Sequence, residues 1–201
     1  DGLYFYLKTK FPKDHPERNF VEEWLRNQAL QQKFAPQRKG GTVDRFYASR
    51  PWQQISSDLI DFTNRPAGPF RYILVVMDNF SRYLYLSAIS SKEAKTVAKA
   101  FGKVIEIIKK EWGKTPSSVL VDDGPEYKGD FIKLVKKLRI RKIRTLGGTP
   151  QSNGLIERSN ASTKMLLRKN KEINGGSWKD NLKATQDAYN QKFIRTIATS
   201  P

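Results

Sequence analysis

VLVDDGPEY, residues 119–127, passes directly from apolar residues into two aspartates and a glycine. A run this short and apolar, closed by a turn, is expected to be a strand covered on both faces. Helical patterns stand on either side of it. Upstream, Ala94, Val97, Phe101, Val104, Ile108 and Trp112 recur every three or four residues. Ser90 and Glu93 match a capping box at the start of that helix, and Gly113 and Pro116 stop it. Downstream, FIKLVKKL (131–138) predicts a second helix and IRKIRTL (140–146) a further strand. Strand 118–121 therefore belongs to an alternation of helices and strands.

Three earlier runs complete the sheet. WQQISSDLIDF (52–62), YILVVM (72–77) and YLYLSAI (83–89) are joined by TNRPAGP and DNFSR, links short enough for an antiparallel meander. Two more helices are expected at Leu155–Lys169 and Trp178–Phe193, the second opened by Ser177 with Asp180 three residues on. The order β-β-β-α-β-α-β-α-α implies an α/β fold: a mixed five-stranded sheet with helices on both faces. Residues 1–46 read as a helical extension and basic linker ahead of a core at 47–201. In that extension Phe20, Trp24, Leu25 and Leu30 have the spacing of one helical face, and APQRKGGT (35–42) breaks the helix.

The composition narrows the chemistry. There is no cysteine, and His15 is the only histidine. Disulfides, thiol nucleophiles, Ser-His catalysis and zinc fingers are excluded within this segment. A bound metal would need oxygen ligands, which points to Mg²⁺ or Mn²⁺. No Walker sequence or G-x-G-x-x-G is present, which argues against nucleotide hydrolysis. No apolar run is long enough to span a bilayer and no signal peptide is expected. The chain opens at Asp1 and is expected to be part of a longer protein.

Lys and Arg total 37 against 20 Asp and Glu, a net charge of +17. Between Lys136 and Arg195, 15 basic residues face 4 acidic ones. A basic excess concentrated in this way favours a polyanion, and nucleic acid is the usual one.

Three carboxylate positions stand out. Neighbouring side chains alternate along a regular strand, so Asp122 and Asp123 cannot both face one cleft. Either one is a ligand and the other a turn residue, or both belong to the turn. Asp58 and Asp61 likewise face opposite sides of their strand, and Asp58, in mid-strand, is the harder to explain without a partner. The third acid is helical. Asn153, Glu157, Asn160, Lys164, Arg168 and Lys171 fall on one helical face, with Leu155, Ser159, Ser162, Met165 and Leu166 as the expected packing side. Such a stripe is often just a solvated surface. This one carries a single acid among amides and bases and follows a Gly-rich loop, TLGGTPQSNG. Three converging carboxylates holding two cations roughly 4 Å apart could drive in-line displacement at phosphorus without histidine or a covalent nucleophile.

DLIDF (58–62), VDDGPEY (121–127) and PQSNGLIERSN (150–160) resemble the three signature stretches of retroviral-type integrases and related DDE transposases. The second usually reads D-N-G-x-E-F in that family, and the third P-Q-(S/T)-x-G-x-x-E-x-x-N. Asp122 and Glu157 are 35 residues apart, within the family's range. The resemblance covers about 50–200, including Trp178 and A-Y-N at 188–190. It implies an RNase H-like core with Asp58, Asp122 and Glu157 as the triad and two Mg²⁺ or Mn²⁺ ions. Asp123 departs from the family asparagine, and Tyr127 is a mild departure from phenylalanine. The family's HHCC zinc module is absent from these 201 residues. The N-terminal segment resembles the linker ahead of the core in integrases of large self-synthesising DNA transposons (Maverick/Polinton-like), with retrotransposons and bacterial insertion elements as alternative sources.

The implied activity is hydrolysis near an element's DNA end, then attack of the freed 3′-hydroxyl on target DNA. The same resemblance makes Asn153, Arg158, Asn160, Lys164, Arg168 and Lys171 candidate DNA contacts. Gly147, Gly148 and Gly154 allow the 147–154 loop to move near the reacting phosphate, and Lys136 to Arg144 would add non-specific phosphate contacts. A homo-oligomer is expected, acting in a nucleus for a eukaryotic source and otherwise in cytoplasm with the DNA, and not secreted. The alternatives are a catalytically silent DNA-binding protein of the same fold, an RNase H-like nuclease that does not join strands, and an assembly module whose basic face binds an acidic protein.

Overall fold

A computed structural model describes residues 2–27, 48–144, 150–194, 197, 200 and 201. The chain divides into two compact units, Asp44–Gln191 and a second formed by Asp1–Val43 with Lys192–Pro201.

The larger unit contains the five-stranded mixed sheet. Strands β1 (Gln54–Asp61), β2 (Tyr72–Asp78) and β3 (Leu84–Ile89) form the antiparallel meander. Helix α3 (Ala94–Trp112) leads to β4 (Ser118–Val121), which lies parallel to β1. A single 3-10 turn (Pro125–Tyr127) and α4 (Gly129–Lys137) lead to β5 (Arg141–Arg144), parallel to β4. The strand order is β3-β2-β1-β4-β5. Two helices follow, α5 (Pro150–Asn174) and α6 (Leu182–Asn190).

Side-chain alternation divides the sheet into two faces. On one, Ile55, Leu74, Val76, Val119 and Val121 pack with Val97, Phe101, Val104 and Ile108 of α3 and with Phe131 and Val135 of α4. Removing these side chains from water is the main stabilising contribution to the core. Tyr127 is fully buried there, and its ring meets Phe131 edge-on at 5.0 Å. Helices α5 and α6 pack against the sheet at β1 and β3. Asn190 clamps α6 to the edge strand, accepting from Leu84 N at 2.9 Å and donating to Leu84 O at 2.9 Å.

Several local expectations need correction. Ser90 and Glu93 do not form a capping box: Glu93 is itself the N-cap, its backbone N–H bonds Ser91 Oγ at 3.0 Å, and α3 starts at Ala94. Gly113 does end the helix, in the left-handed conformation at φ 63°, with its N–H on Lys109 O. Ser177 and Asp180 exchange hydrogen bonds, with Ser177 Oγ donating to Asp180 Oδ2 at 2.7 Å. They close a turn, however, and α6 begins later, at Leu182.

The packing side of α5 is also rotated from the one expected. Ile156, Ser159, Thr163 and Leu167 are buried, whereas Met165 is 55% exposed. The buried row sets the hydroxyl residues Ser159 and Thr163 between Ile156 and Leu167, so of the expected packing residues Ser159 is buried, Leu155, Ser162 and Leu166 are half-buried, and Met165 is exposed.

In the smaller unit, α2 (Arg18–Asn27) follows α1 (Gly2–Lys10), a helix the sequence reading missed. Val21 is buried in α2, while Phe20 and Trp24, expected to form its packing face, are largely exposed. Leu30, the side chain of Leu25, the 35–42 linker and the 46/47 boundary lie outside the described residues. Residues 192–201, assigned to the core from sequence, group with this unit, where Phe193 stacks on Phe5 at 4.8 Å. No helix among the described residues is long and apolar enough to cross a membrane.

Candidate active site

The parallel register of β1 and β4 organises the carboxylates. It pairs Gln54 with Ser118 and Ser56 with Leu120, an offset of 118 − 54 = 64. Asp58 lies two residues beyond Ser56 on β1 and Asp122 two residues beyond Leu120, one residue past the end of β4, so the same offset runs on towards both aspartates (122 − 58 = 64). Asp58 shares the Ser56 face of β1. Asp61, an odd number of residues from Asp58, faces away.

Asp58 is half-buried. Its Oδ1 accepts from Leu59 N at 2.8 Å and its Oδ2 from Asn160 Nδ2 at 2.7 Å. Burial raises its pKa above the ordinary aspartate value. The two hydrogen bonds oppose that rise, and the negative charges of Asp122 and Glu157 add to it. Asn160 lies one helical turn beyond Glu157 on α5, so the 2.7 Å bond brings that helix across Asp58. Asp58, Asp122 and Glu157 are thus electrostatically coupled, though they come from two strands and a helix.

The other aspartates are engaged elsewhere. Asp123 pairs with Arg144 and lies 3.9 Å from Lys128 Nζ. Asp61 accepts from Thr63 N and Oγ1 at 2.7 Å each, and the Thr63 hydroxyl holds its pKa below the ordinary value. Asp122 Oδ1 accepts from Gly124 N at 3.0 Å and remains exposed beside the cleft. A Cβ at Gly124 would meet the Glu126 carboxyl at 2.6 Å, so a side chain there would push that carboxyl aside.

Glu157, Arg158, Lys164, Arg168 and Lys171 are exposed along α5. Asn160 lies apart from them, half-buried against Asp58. Lys164, Arg168 and Lys171 border a pocket of about 430 Å³, closed by Phe62, Arg65, Leu167 and Trp178. Phe62 and Trp178 stack at 5.1 Å, and Trp178 Nε1 donates to Arg65 O at 2.8 Å. Gly154, expected in a mobile loop, lies inside α5: Pro150, well suited to a first helical turn, starts the helix before it. Gly147, Gly148 and the Asn153 side chain lie outside the described residues.

Tyr127 lies on the opposite face of the sheet from Asp58, its hydroxyl 3.4 Å from Ser57 Oγ and its pKa pushed far up by burial. What the sequence missed at the site is Asn160 in its role as partner to Asp58. Its position three residues after Glu157 was visible, but its burial was not.

The donor set is all oxygen, which suits a hard divalent cation. The like charges raising the Asp58 pKa are a repulsion that such a cation would relieve. As they stand, no three acidic or histidine side chains among the described residues gather into a metal-binding cluster.

Comparison with known proteins agrees with this architecture. The integrase core domain family matches residues 48–150, a stretch that contains Asp58 and Asp122 and ends seven residues before Glu157. The Gag-Pro-Pol polyprotein of squirrel monkey retrovirus is 28% identical over 119 residues, 59% of this chain and 6% of that protein. The transposon Tf2-3 polyprotein of Schizosaccharomyces pombe is 25% identical over 156 residues, 77% of this chain and 11% of that one. The chain therefore spans only a small part of these relatives.

Among solved structures, the simian T-cell lymphotropic virus intasome in complex with PP2A regulatory subunit B56 gamma aligns at a TM-score of 0.69 and 19% identity. The alignment covers 92% of this chain and 65% of that one. The HTLV-2 integrase catalytic core domain in complex with magnesium aligns at 0.63 and 17% identity, covering 77% and 96%. The sheet order and flanking helices are those of the RNase H-like fold these cores share. From its matched residues, the chain belongs to the integrase core domain family.

Proposed function

We propose that this chain is the catalytic core of a retroviral- or retrotransposon-type integrase, cutting near an element's DNA ends and joining them to target DNA. The observation that supports the proposal is the Asn160–Asp58 hydrogen bond, which ties the helix carrying Glu157 to β1, the strand that runs parallel to β4.

Asp58, Asp122 and Glu157 would hold Mg²⁺ or Mn²⁺. Bound there, two such ions would activate a water or 3′-hydroxyl and stabilise the leaving oxygen. Asn160 fixes the orientation of the Asp58 carboxylate, and the Gly124 N–H fixes that of Asp122. Arg158, Lys164, Arg168 and Lys171 neutralise DNA phosphates along α5, so binding weakens steeply with salt. Joining two ends requires an oligomer, and the protein acts wherever its host DNA lies: in a nucleus for a eukaryotic element, otherwise in cytoplasm.

The test is turnover of a branched disintegration substrate in Mg²⁺ or Mn²⁺, comparing wild type with Asp58→Asn, Asp122→Asn, Asp123→Asn and Glu157→Gln. The proposal expects loss in the 58, 122 and 157 variants and retention in the 123 variant. Salt-sensitive DNA binding without any metal-dependent turnover would assign the chain to the silent class. Cleavage without strand joining would make it a nuclease.

A further inference from the structure

The departure at Asp123 marks a second feature of the strand ends, on the sheet face away from the triad. The β4–β5 register pairs Val119 with Lys142 and Val121 with Arg144. Alternation along β5 places Lys142 and Arg144 on one face, and Asp123, two residues past the end of β4, reaches that face through its pair with Arg144. Lys128, just before α4, completes the group. Arg144 and Lys128 both reach the Asp123 carboxylate, the lysine at 3.9 Å. Lys142 Nζ donates to Tyr127 O at 2.5 Å, which anchors its ammonium beside them. Partial burial depresses the Lys142 pKa. Asp123 opposes that shift, and Arg144 and Lys128 reinforce it, so the four groups sense one another.

Three cations around one carboxylate leave an excess of positive charge immediately beside the reacting cleft. The side chains of Asp123, Lys128 and Arg144 are roughly half exposed or more. Ion pairs this wet contribute little, so their partner can be exchanged at small cost. A phosphodiester presents the same kind of anionic oxygens as the carboxylate, and the Arg144 guanidinium can meet two of them at once.

We propose that Lys128, Lys142 and Arg144 form a phosphate-binding site for the DNA backbone, and that Asp123 occupies it in the DNA-free protein as an internal stand-in for phosphate. The site would grip a phosphate flanking the reacting one as the strand passes the end of β4. This inference rests on the proposed function, because it takes DNA as the ligand.

The test is fluorescence anisotropy of a labelled linear DNA duplex in EDTA, so that binding is read without turnover. Wild type is compared with Asp123→Asn, Arg144→Ala and the double variant. Asp130→Asn is the charge control, since Asp130 is an exposed acid paired only locally, with Lys133 at 3.0 Å. Release of the site by Asp123→Asn is expected to tighten binding about two- to tenfold, the worth of exposed pairs no longer broken on binding. Asp130→Asn should change affinity less than about twofold, because Asp130 pairs with Lys133 rather than with any of the three cations of the site. Arg144→Ala should flatten the salt dependence by about one phosphate contact and remove most of the Asp123→Asn gain.

Equal effects of the 123 and 130 substitutions, or a full Asp123→Asn gain in the Arg144→Ala background, would overturn the site while leaving the proposed function intact. A wild-type protein that bound no DNA would overturn both. Asparagine has the shape of aspartate and the position is exposed, so a matched thermal melt suffices to show that the variants are folded.

Discussion

The Asn160 side-chain amide donates to Asp58 Oδ2 at 2.7 Å, linking a strand and a helix 102 residues apart in sequence. The same carboxylate has only one other bond among those described, from its neighbour's backbone N–H. Asn160 is therefore the side chain that sets the direction of Asp58, while its own Oδ1 is buried and unpartnered among the described residues. Removing an outer partner of a metal-binding carboxylate typically costs 10- to 100-fold in metal affinity or activity. Asn160→Ala should lower disintegration turnover by about that factor and raise the Mg²⁺ concentration needed for half-maximal rate, with DNA affinity changed less than about twofold. Full activity at unchanged Mg²⁺ dependence would remove Asn160 from the site.

Asp58 also predicts a trade between function and stability. Its folded pKa is raised above the ordinary 3.8, chiefly by burial, so the fold disfavours the charged form. Below the unfolded value both states are protonated and the group is neutral in effect. As pH climbs past 3.8 and through the raised folded value, the unfolded chain ionises more readily and stability is lost. The metal-free Asp58→Asn protein should therefore melt at higher temperature than wild type near neutral pH, with the gap closing towards acid. Thermal melts in EDTA across that range are the measurement. A gap of the same size at every pH would show that the effect does not come from ionisation.

The reach of the sequence reading was set by how local each feature is. Strands β1 to β5 and the long apolar helix α3 were readable because their burial patterns repeat within the segment. Asp58, Asp122 and Glu157 could be named as candidates because each sits within a motif. What escaped depends on side chains that meet across the fold. The capping pair at Ser90 failed because the chain stays extended to Glu93. The α5 packing row was only partly legible: Ser159 was placed in it, but Thr163, also buried, carries a hydroxyl that apolar spacing passes over. What Asp123 does could not be read from its own motif. Its partner Arg144 lies 21 residues away on another strand.

Trp178 holds the β1–β2 connection to the segment that follows α5. It is 6% exposed, stacks on Phe62 and donates to Arg65 O. Trp178→Ala should cost about 3–5 kcal/mol of stability, the usual cost of removing a large buried aromatic. Trp178→Phe retains the ring but strands the Arg65 carbonyl, for about 1–3 kcal/mol. Urea unfolding of the two variants provides the comparison. A Trp178→Phe loss as large as that of alanine would show that the hydrogen bond, rather than the ring, holds the connection.

Lys164, Arg168 and Lys171 project from α5 around the pocket that Trp178 closes, and they form no ion pair among the described residues. Their spacing of four and three residues keeps them along one side of the helix. If this row tracks a DNA backbone, each contributes mainly by releasing condensed counterions, so its loss should appear in the salt dependence as well as the affinity. Each single alanine variant should flatten the slope of log affinity against log salt by about one unit, and the triple variant by about three. The effect should be alike for DNA of different sequence, because phosphate contacts carry no base information. Lys179, also exposed but lying over the Phe70 ring at 5.3 Å, is the control expected to leave the slope unchanged. A triple variant with the wild-type slope would mean that DNA runs elsewhere, and Lys136 to Arg144 would then be the next basic stretch to neutralise.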